Sequence, residues 1–371
     1  MIARLLTFLT VVLASVATPC LGEVSPSQRV IIEPRIEMFL QEMVLEERFS
    51  GAALAVRDGE VLHAKAYGRA TEDSRNSLST LFHVASVTKQ FTAAAVLKLA
   101  EQGKIDLDAS INQYLPEAYR SEKWDRVSVH HLLSHSSGIP DYALERDYYN
   151  VVDGFCLGDT VDGMLREAQT KDLKFLPGSE YEYSNIGFTL LGEIIENESG
   201  TAYHTYVEQT LLAPLGMDSS RLHVIGHEQD PDEASGYRWN EELQRHTKDL
   251  VVTLPVTAPD GGLVTTLDDF YRWTRIYLVQ NDEILSEGSL QKMLTPVVTT
   301  DEVYGRGKPT SYGYGLYLGD GLISHEGYIV GFRSHFILDP EDDELVVVFT
   351  NNTTNDPTKI SAGILSIIEG W

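Results

Sequence analysis

The sequence predicts an α+β fold in which one β-sheet is assembled from both ends of the chain and an α-helical subdomain is inserted between them. Strand-like runs stand near the N-terminus and in the last third, whereas the middle carries short helical patterns and polar turns. No linker rich in Pro, Gly or Ser separates these parts. We therefore expect them to share an interface, which is a favoured place for a pocket.

The first strands are predicted on either side of a tight turn. Residues 51–56 and 61–68 alternate small apolar residues around Asp58-Gly59, and both turn residues tolerate the positive φ of a two-residue hairpin. A helix is then predicted from Ser86 to Gly103. Because this helix is apolar on most sides, we expect it to be buried.

The later helices and strands are divided between the helical middle and the sheet part in the same way. Helical patterns cover residues 130–133, 161–168 and 187–196, strand-like runs cover 316–318, 329–338 and 344–349, and a final helix covers 357–369. The sheet part is thus expected over about residues 30–110 and 231–371, and the helical subdomain over about residues 111–230.

Residues 1–22 are predicted to be a signal peptide that leaves residues 23–371 as the mature domain. Arg4 precedes an apolar stretch that is shorter than the ~20 residues of a membrane-spanning helix. We therefore expect a periplasmic or secreted protein with no stable membrane insertion once the signal is removed. Cys156 would then be the remaining cysteine, so no internal disulfide is expected.

The charge of the chain excludes several classes of partner. A formal net charge of −26 argues against binding to nucleic acid and to anionic membrane surfaces. Its simplest interpretation is a well-solvated surface. The sequence does not indicate an oligomeric state.

Ser86-Val87-Thr88-Lys89 places a hydroxyl and an amine on one face at the start of the first helix. A serine hydroxyl is a weak nucleophile until a base takes its proton, and a lysine can serve once burial lowers its pKa. The helix N-terminus also stabilises negative charge that develops near Ser86. A second S-x-x-K, from Ser289 to Lys292, follows a polar run and is interpreted as chance on a surface helix.

Tyr183-Ser184-Asn185 precedes the helical pattern at 187–196. A tyrosine can relay protons to a leaving group, and a neighbouring asparagine can hold a substrate carbonyl. The alternative is structural, with Ser184 or Asn185 as the helix N-cap, and the two roles are compatible. Tyr148-Tyr149-Asn150 has the same spacing in a predicted loop.

His325-Glu326-Gly327 stands at the start of a predicted strand. A strand edge beside the nucleophile can donate a backbone N–H to an oxyanion, and Gly327 would let a substrate approach closely. His325 can donate a hydrogen bond or assist proton transfer near neutral pH, although an ordinary strand histidine is an equally good interpretation.

In this order, the three triplets resemble the active site of the serine β-lactamase and penicillin-binding-protein superfamily. The branch that the chain resembles contains class C β-lactamases, D-aminopeptidases and related esterases, and the resemblance covers roughly residues 35–365. It extends to the segments listed here: 81–89, 103–108, 114–116, 131–140, 175–178 and 261–266.

The resemblance implies an α/β sandwich, in which an antiparallel sheet is flanked by helices and carries an α-helical subdomain, with the site in the cleft between them. It implies that Ser86 is acylated and then released by water, and that Lys89 and Tyr183 share the proton transfers. Backbone N–H groups of Ser86 and Tyr328 would form the oxyanion hole, and Asn185 would orient the substrate amide or ester. No metal and no cofactor are implied.

The chain departs from the family pattern at one position. Many β-lactamases and D,D-peptidases have Lys-Thr-Gly or Lys-Ser-Gly where this chain has His325-Glu326-Gly327. A mostly neutral histidine together with Glu326 should weaken recognition of a substrate carboxylate. Arg333 is a candidate replacement anchor for that carboxylate. We expect esters or uncharged amides, as small molecules or peptides, to be better substrates than penicillins.

Two alternatives to this ester or amide hydrolase remain open. The first is a D-alanyl-D-alanine carboxypeptidase or class C-type β-lactamase. The second is a non-hydrolytic binding protein that retains the cleft, against which the retention of Ser86, Lys89, Tyr183 and Asn185 argues. The chain has no G-x-S-x-G elbow of an α/β-hydrolase. His130, His131 and His135 lack the acidic partner that would complete a metal site.

Overall fold

The computed structural model describes residues 26–141, 151–152, 155–156, 161–223, 230–248, 258–279 and 281–370. The predicted signal peptide and the triplet Tyr148-Tyr149-Asn150 lie outside these residues. Across the described ranges, none of the helices combines the length and the apolar character that crossing a membrane requires.

The strands of the described chain form one large sheet and three small ones. In chain order they are β1 (Gly51–Arg57), β2 (Glu60–Tyr67), β3 (Phe82–His83), β4 (Val151–Val152), β5 (Phe155–Cys156), β6 (Arg221–Leu222), β7 (Tyr237–Asn240), β8 (Arg245–Lys248), β9 (Leu263–Thr265), β10 (Val298–Tyr304), β11 (Lys308–Tyr312), β12 (Tyr317–Gly319), β13 (Leu322–Ile329), β14 (Phe332–Asp339) and β15 (Glu344–Thr350). The large sheet has the order β10-β11-β12-β13-β14-β15-β1-β2, and each of its ladders is antiparallel.

The α-helices of the described chain are α1 (Pro26–Glu46), α2 (Lys89–Glu101), α3 (Val129–Leu133), α4 (Val161–Thr170), α5 (Asn185–Ser199), α6 (Tyr203–Val207), α7 (Ala258–Gly261), α8 (Leu267–Thr274), α9 (Glu287–Met293) and α10 (Pro357–Glu369). Short 3₁₀ turns cover Ala85–Thr88, Ile111–Gln113, Glu117–Tyr119, Glu122–Trp124 and Arg275–Tyr277, and a π turn covers Glu208–Leu212.

The large sheet separates two apolar layers. Side chains of successive strand residues point to opposite faces. Ala53, Ala55 and Val348 therefore pack with the buried sides of α1 and α10. Their neighbours Leu54 and Val347 pack on the other face, in the core that includes α2 and α5. The prediction of an antiparallel sheet flanked by helices is confirmed.

One predicted strand was wrong in its boundaries. The apolar run at 329–338 is interrupted by Val330-Gly331, a two-residue turn in which Gly331 has a φ of +85°. This left-handed conformation suits glycine, and it reverses the chain between β13 and β14. The triplet His325-Glu326-Gly327 consequently lies inside β13 rather than at the start of a strand.

Candidate active site

Ser86 lies in the tight turn between β3 and α2. The 3₁₀ turn Ala85–Thr88 precedes α2, which begins at Lys89 rather than at Ser86. Ala85 has a φ of +48°, a conformation that is unfavourable for a residue with a β-carbon. Strain of this kind is typical of functional sites. Because the first N–H groups of a helical segment have no partner within it, the N–H of Ser86 is available to a ligand.

Lys89 is fully buried and its amine meets Ser86. Its Nζ lies 3.1 Å from Ser86 Oγ, 2.8 Å from Asn185 Oδ1 and 2.8 Å from the backbone oxygen of Asp260. Burial lowers the pKa of Lys89 from 10.5 to about 8, although the charges of Asp260 and Asp141 act in the opposite direction. About a tenth of Lys89 is therefore a neutral amine at pH 7, and about half of it at pH 8.

The start of α5 positions Asn185. Ser184 is the N-cap of this helix, because its Oγ accepts the N–H of Gly187 at 3.2 Å. The alternative in which Asn185 caps the helix is thus excluded, and its side chain is engaged elsewhere. Asn185 Oδ1 accepts from Lys89, and its Nδ2 donates to Asp141 Oδ2 at 3.0 Å.

Tyr183 lies beside the amine of Lys89. The Lys89 Nζ is 4.8 Å from the centre of the Tyr183 ring, and the nearby Ser86 hydroxyl lowers the pKa of Tyr183, although the two hydroxyls do not form a hydrogen bond. Burial is the larger effect and raises the pKa of Tyr183 well above its ordinary value. The ring packs 4.2 Å from that of His135, whose Nδ1 accepts the backbone N–H of Ser184 at 3.1 Å. Tyr183 is therefore a protonated phenol held next to the nucleophile.

His325 is buried behind Tyr183, and both of its ring nitrogens have partners. Nε2 lies 2.9 Å from the hydroxyl of Tyr312, and Nδ1 lies 2.5 Å from the backbone oxygen of Glu326. Because a carbonyl oxygen can only accept, Nδ1 carries the proton and Nε2 accepts from Tyr312. Burial lowers the pKa of His325 to about 3, so the ring is neutral near pH 7. Its ring centre is 6.3 Å from that of Tyr183.

Gly327 packs against the turn that carries the nucleophile. A β-carbon at this position would collide with the backbone carbonyl of Val84 and with Ser334 Oγ. Ser334 Oγ in turn donates to the Val84 oxygen at 2.7 Å. The protein's own backbone therefore occupies the position of a β-carbon at Gly327, and the role of Gly327 toward a substrate stays a prediction.

Beyond Ser324, the described residues provide no strand that pairs with β13 on the side of β12. Strand β12 pairs with Leu322, Ile323 and Ser324 only, and two-residue turns close the hairpins on both sides of β13. The pair that closes such a turn exchanges both backbone hydrogen bonds, and the direction then alternates along the strand. Leu322 is thus bonded to β12 and Ile329 to β14, so Tyr328 directs its N–H and C=O toward the edge that β12 leaves uncovered.

Glu326 and Arg333 lie on the opposite face of the sheet from Gly327 and Ser334. This follows from the alternation along β13 and β14. Arg333 donates to the backbone oxygen of Asn355 at 3.0 Å and pairs with Asp356 at 3.7 Å, both directly before α10. Neither side chain therefore lies beside Ser86, contrary to the expectations that Glu326 adds charge to the cleft and that Arg333 replaces the missing lysine.

Two contributors to the site were missed by the sequence analysis. The buried carboxylate of Asp141 accepts from Asn185, and the backbone oxygen of Asp260 accepts from Lys89. Each stands one residue outside a segment that resembles the family, namely 131–140 and 261–266. Extending those segments by a single position would have included both residues.

The remaining candidates lie outside this cluster. Ser289 belongs to α9, and its Oγ accepts from the Oγ of Ser286, the N-cap of that helix, at 3.3 Å. Among the residues that the structure describes, no group of three or more His, Cys, Asp or Glu side chains could hold a metal ion.

The chain is similar to known penicillin-binding proteins. It is 26% identical over 346 residues to "Penicillin-binding protein 4*" of Bacillus subtilis (strain 168), which covers 87% of this chain and 72% of that relative. The octameric penicillin-binding protein homologue from Pyrococcus abyssi is 31% identical, with a TM-score of 0.79 over 91% of this chain and 77% of that one. A penicillin binding protein from Bacillus halodurans is 29% identical, with a TM-score of 0.76 over 90% of this chain and 98% of that one.

The model of the family described as Beta-lactamase matches residues 35–366. This match includes each of the three triplets and the residues around them. The chain therefore belongs to the β-lactamase family.

Proposed function

We propose that the protein is a serine hydrolase that cleaves an ester or amide bond through an acyl-enzyme on Ser86. The observation that carries the proposal is the buried amine of Lys89, 3.1 Å from Ser86 Oγ and with its pKa lowered to about 8. A general base is most effective when its pKa lies near the working pH. Tyr183 has a pKa well above its ordinary value, so Lys89 is the base and Tyr183 acts as a proton donor.

The reaction has two halves. Lys89 takes the proton of Ser86, Ser86 Oγ attacks the carbonyl carbon, and the resulting oxyanion accepts the N–H groups of Ser86 and Tyr328. The tetrahedral intermediate then expels the alcohol or amine. The leaving group takes the proton of Tyr183, and the ammonium of Lys89 passes the proton that it took from Ser86 to the Tyr183 oxygen. In the second half, Lys89 deprotonates a water molecule, which attacks the carbonyl carbon of the Ser86 ester. The ammonium of Lys89 then gives this proton to Ser86 Oγ as the acid is released.

The substrate class is proposed from the electrostatics of the cleft. His325 stands where many relatives have a lysine, and it is neutral because burial lowers its pKa to about 3. Arg333 is bound to Asn355 and Asp356 on the other face of the sheet. A substrate carboxylate would thus lack the cation that anchors it in the relatives with a lysine triplet. Esters and uncharged amides should be turned over faster than penicillins.

Intact-mass spectrometry tests the reaction and separates it from the alternatives. The protein is incubated with a fluorophosphonate and, separately, with penicillin, and the modified residue is located by peptide mapping. Labelling of Ser86 that is much faster with the fluorophosphonate than with penicillin supports the ester or amide hydrolase. Labelling by both reagents at comparable rates supports the carboxypeptidase or β-lactamase, and labelling by neither supports the binding protein.

Matched variants identify the nucleophile. Ser86→Ala should abolish the labelling, whereas Ser289→Ala, which removes the serine of the other S-x-x-K, should leave it unchanged. Faster hydrolysis of nitrocefin than of a p-nitrophenyl ester by the unmodified protein would overturn the proposed substrate class.

A further inference from the structure

We propose that Asp141 is a positioning residue for this reaction, because its carboxylate fixes the orientation of the Asn185 amide and so presents an oxygen, not an amino group, to Lys89. The inference rests on the proposed function, in which Lys89 is the base. Asp141 lies outside the three triplets, and the orientation of the Asn185 amide depends on its buried charge.

The contacts of Asp141 leave one orientation for the amide. Asp141 is only 4% exposed, and its Oδ1 accepts the backbone N–H groups of Asn185 at 2.9 Å and Ile186 at 3.1 Å. Its Oδ2 accepts the Nδ2 of Asn185 at 3.0 Å. Burial raises the pKa of Asp141, whereas the N–H group of Ile186, the charge of Lys89 and the N–H groups of Asn185 act in the opposite direction. In the ionised form both oxygens only accept hydrogen bonds, so the amino group of Asn185 faces Asp141. The amide oxygen then faces Lys89, 2.8 Å from its Nζ.

The carboxylate also acts on Lys89 through its charge. The ionisable side chains that interact with Lys89 come from several elements, and they are Asp141, Asp260, Tyr183, His135 and His325. Of these, Asp141 and Asp260 favour the ammonium form, whereas burial disfavours it. Removing the charge of Asp141 should therefore shift the protonation of Lys89 to lower pH.

Asp141→Asn tests both effects with little change in volume. The new Oδ1 can still accept the two backbone N–H groups, but the new amino group faces the amino group of Asn185. Rotation of the Asn185 amide by half a turn relieves this conflict, and it then presents Nδ2 to the ammonium of Lys89. In either arrangement two donors meet, and a buried donor without an acceptor is costly.

The reciprocal variant Asp141→Asn with Asn185→Asp restores complementary partners. The amide introduced at position 141 would be the donor and the carboxylate introduced at position 185 the acceptor, with the second carboxylate oxygen directed at Lys89. The backbone N–H groups of residues 185 and 186 keep their acceptor. Because a negative charge would now be adjacent to Lys89, its protonation should shift to higher pH than in the unmodified protein.

Asp269 offers a matched control. It is a buried aspartate on α8 that accepts the N–H of Ser219 at 2.9 Å and the hydroxyl of Ser220 at 2.8 Å. Asp269→Asn thus removes a buried charge and disturbs hydrogen bonds of the same kind. The contacts of Asp269 do not include Lys89 or Asn185, so a general loss of stability can be separated from an effect on the site.

The experiment measures the rate of Ser86 labelling by a fluorophosphonate between pH 5 and 10, by intact mass, for the four proteins. We expect Asp141→Asn to lower the maximal labelling rate by about tenfold or more. The ascending limb of its pH–rate profile should lie about one pH unit lower than in the unmodified protein. The reciprocal variant should recover most of the rate, with its limb at or above that of the unmodified protein. Asp269→Asn should leave the profile unchanged.

The outcomes separate this role from the proposed function. If the unmodified protein is not labelled on Ser86, the proposed function fails and this role fails with it. If Ser86 is labelled but Asp141→Asn keeps the original rate and limb, only the positioning role fails. Should Asp141→Asn not fold, the reciprocal variant decides: an ascending limb of its pH profile below that of the unmodified protein would overturn the role.

Discussion

The backbone carbonyl of Val84 occupies the space that a β-carbon of Gly327 would need. The same carbonyl accepts the hydroxyl of Ser334, a residue 250 positions later in the chain. Val84 precedes the strained Ala85 and the nucleophile Ser86. The position of the nucleophile is therefore set by contacts with β13 and β14, and not by the start of its own helix alone.

Gly327→Ala should displace the turn that carries Ser86. An added methyl group in a fully packed position costs about 1–3 kcal/mol of unfolding free energy. Because it collides with backbone rather than with a flexible side chain, we also expect Ser86 labelling by a fluorophosphonate to slow by about 100-fold. Urea unfolding and labelling rates measure the two effects.

Gly288→Ala is the control for this substitution. Gly288 lies in α9 with nothing within 4 Å of the position of a β-carbon, and alanine favours helices. Its stability should be equal or slightly higher, with an unchanged labelling rate. Normal labelling in Gly327→Ala would mean that the contact with Val84 does not position the nucleophile.

The pKa of Lys89 predicts the pH dependence of the reaction. Since the neutral amine is the base, kcat/KM for an uncharged ester should rise tenfold per pH unit and level off above about pH 8. Lys89→Arg should remove this limb and lower the rate by about 10²–10⁴-fold, because a guanidinium does not release its proton. Lys98→Arg, on the same helix and with its Nζ 3.0 Å from the Glu283 oxygen, should behave like the unmodified protein.

The lowered pKa of Lys89 also affects the stability of the folded protein. The pKa of Lys89 in the folded protein lies below its ordinary 10.5, so the unfolded chain binds more protons between about pH 8 and 10.5. The contribution of Lys89 to the unfolding free energy therefore rises with pH across this interval and is least favourable below it.

The rate measurement has an outcome that would contradict the role of Lys89. If Lys89→Arg keeps the rise of kcat/KM toward pH 8, another group is the base.

His325 should not titrate in the working range. Its pKa is lowered to about 3 and its two nitrogens are engaged with Tyr312 and Glu326, so the ring stays neutral from pH 5 upwards. His325→Gln should leave the ascending limb near pH 8 and lower the unfolding free energy by about 1–3 kcal/mol through the lost hydrogen bonds. His204→Gln on α6 serves as the control. A limb near pH 6.5 that disappears only in His325→Gln would show that His325 transfers protons.

The sequence predicted those parts of the site whose geometry is local. Ser86 and Lys89 are three residues apart, and a spacing of three along a helical turn is enough to predict that their side chains share a face. Asp141 and Asp260 could not be found in this way. Asp141 meets Asn185 through a contact between segments 44 residues apart, and Asp260 contributes a backbone oxygen, which every residue possesses.

The face of the sheet on which each β13 and β14 side chain lies could not be predicted from the sequence either. Alternation assigns sides only after the ends of a strand are known, and the apolar run at 329–338 concealed the turn at Gly331. With that turn in place, Ser334 faces Val84 and Arg333 faces α10. The expectations for Glu326 and Arg333 failed because the sequence alone did not reveal on which face of the sheet these two side chains lie.

The positions of Glu326 and Arg333 lead to a prediction about substrate selection. Glu326→Gln and Arg333→Ala should each change the ratio of penicillin acylation to p-nitrophenyl ester hydrolysis by less than about twofold, since neither side chain lies beside Ser86. Arg333→Ala should lose some stability instead, because it breaks the contacts with Asn355 and Asp356. Penicillin acylation is followed by intact mass and ester hydrolysis by absorbance. A selective loss of penicillin acylation by tenfold or more in Arg333→Ala would mean that this guanidinium reaches the substrate carboxylate after all.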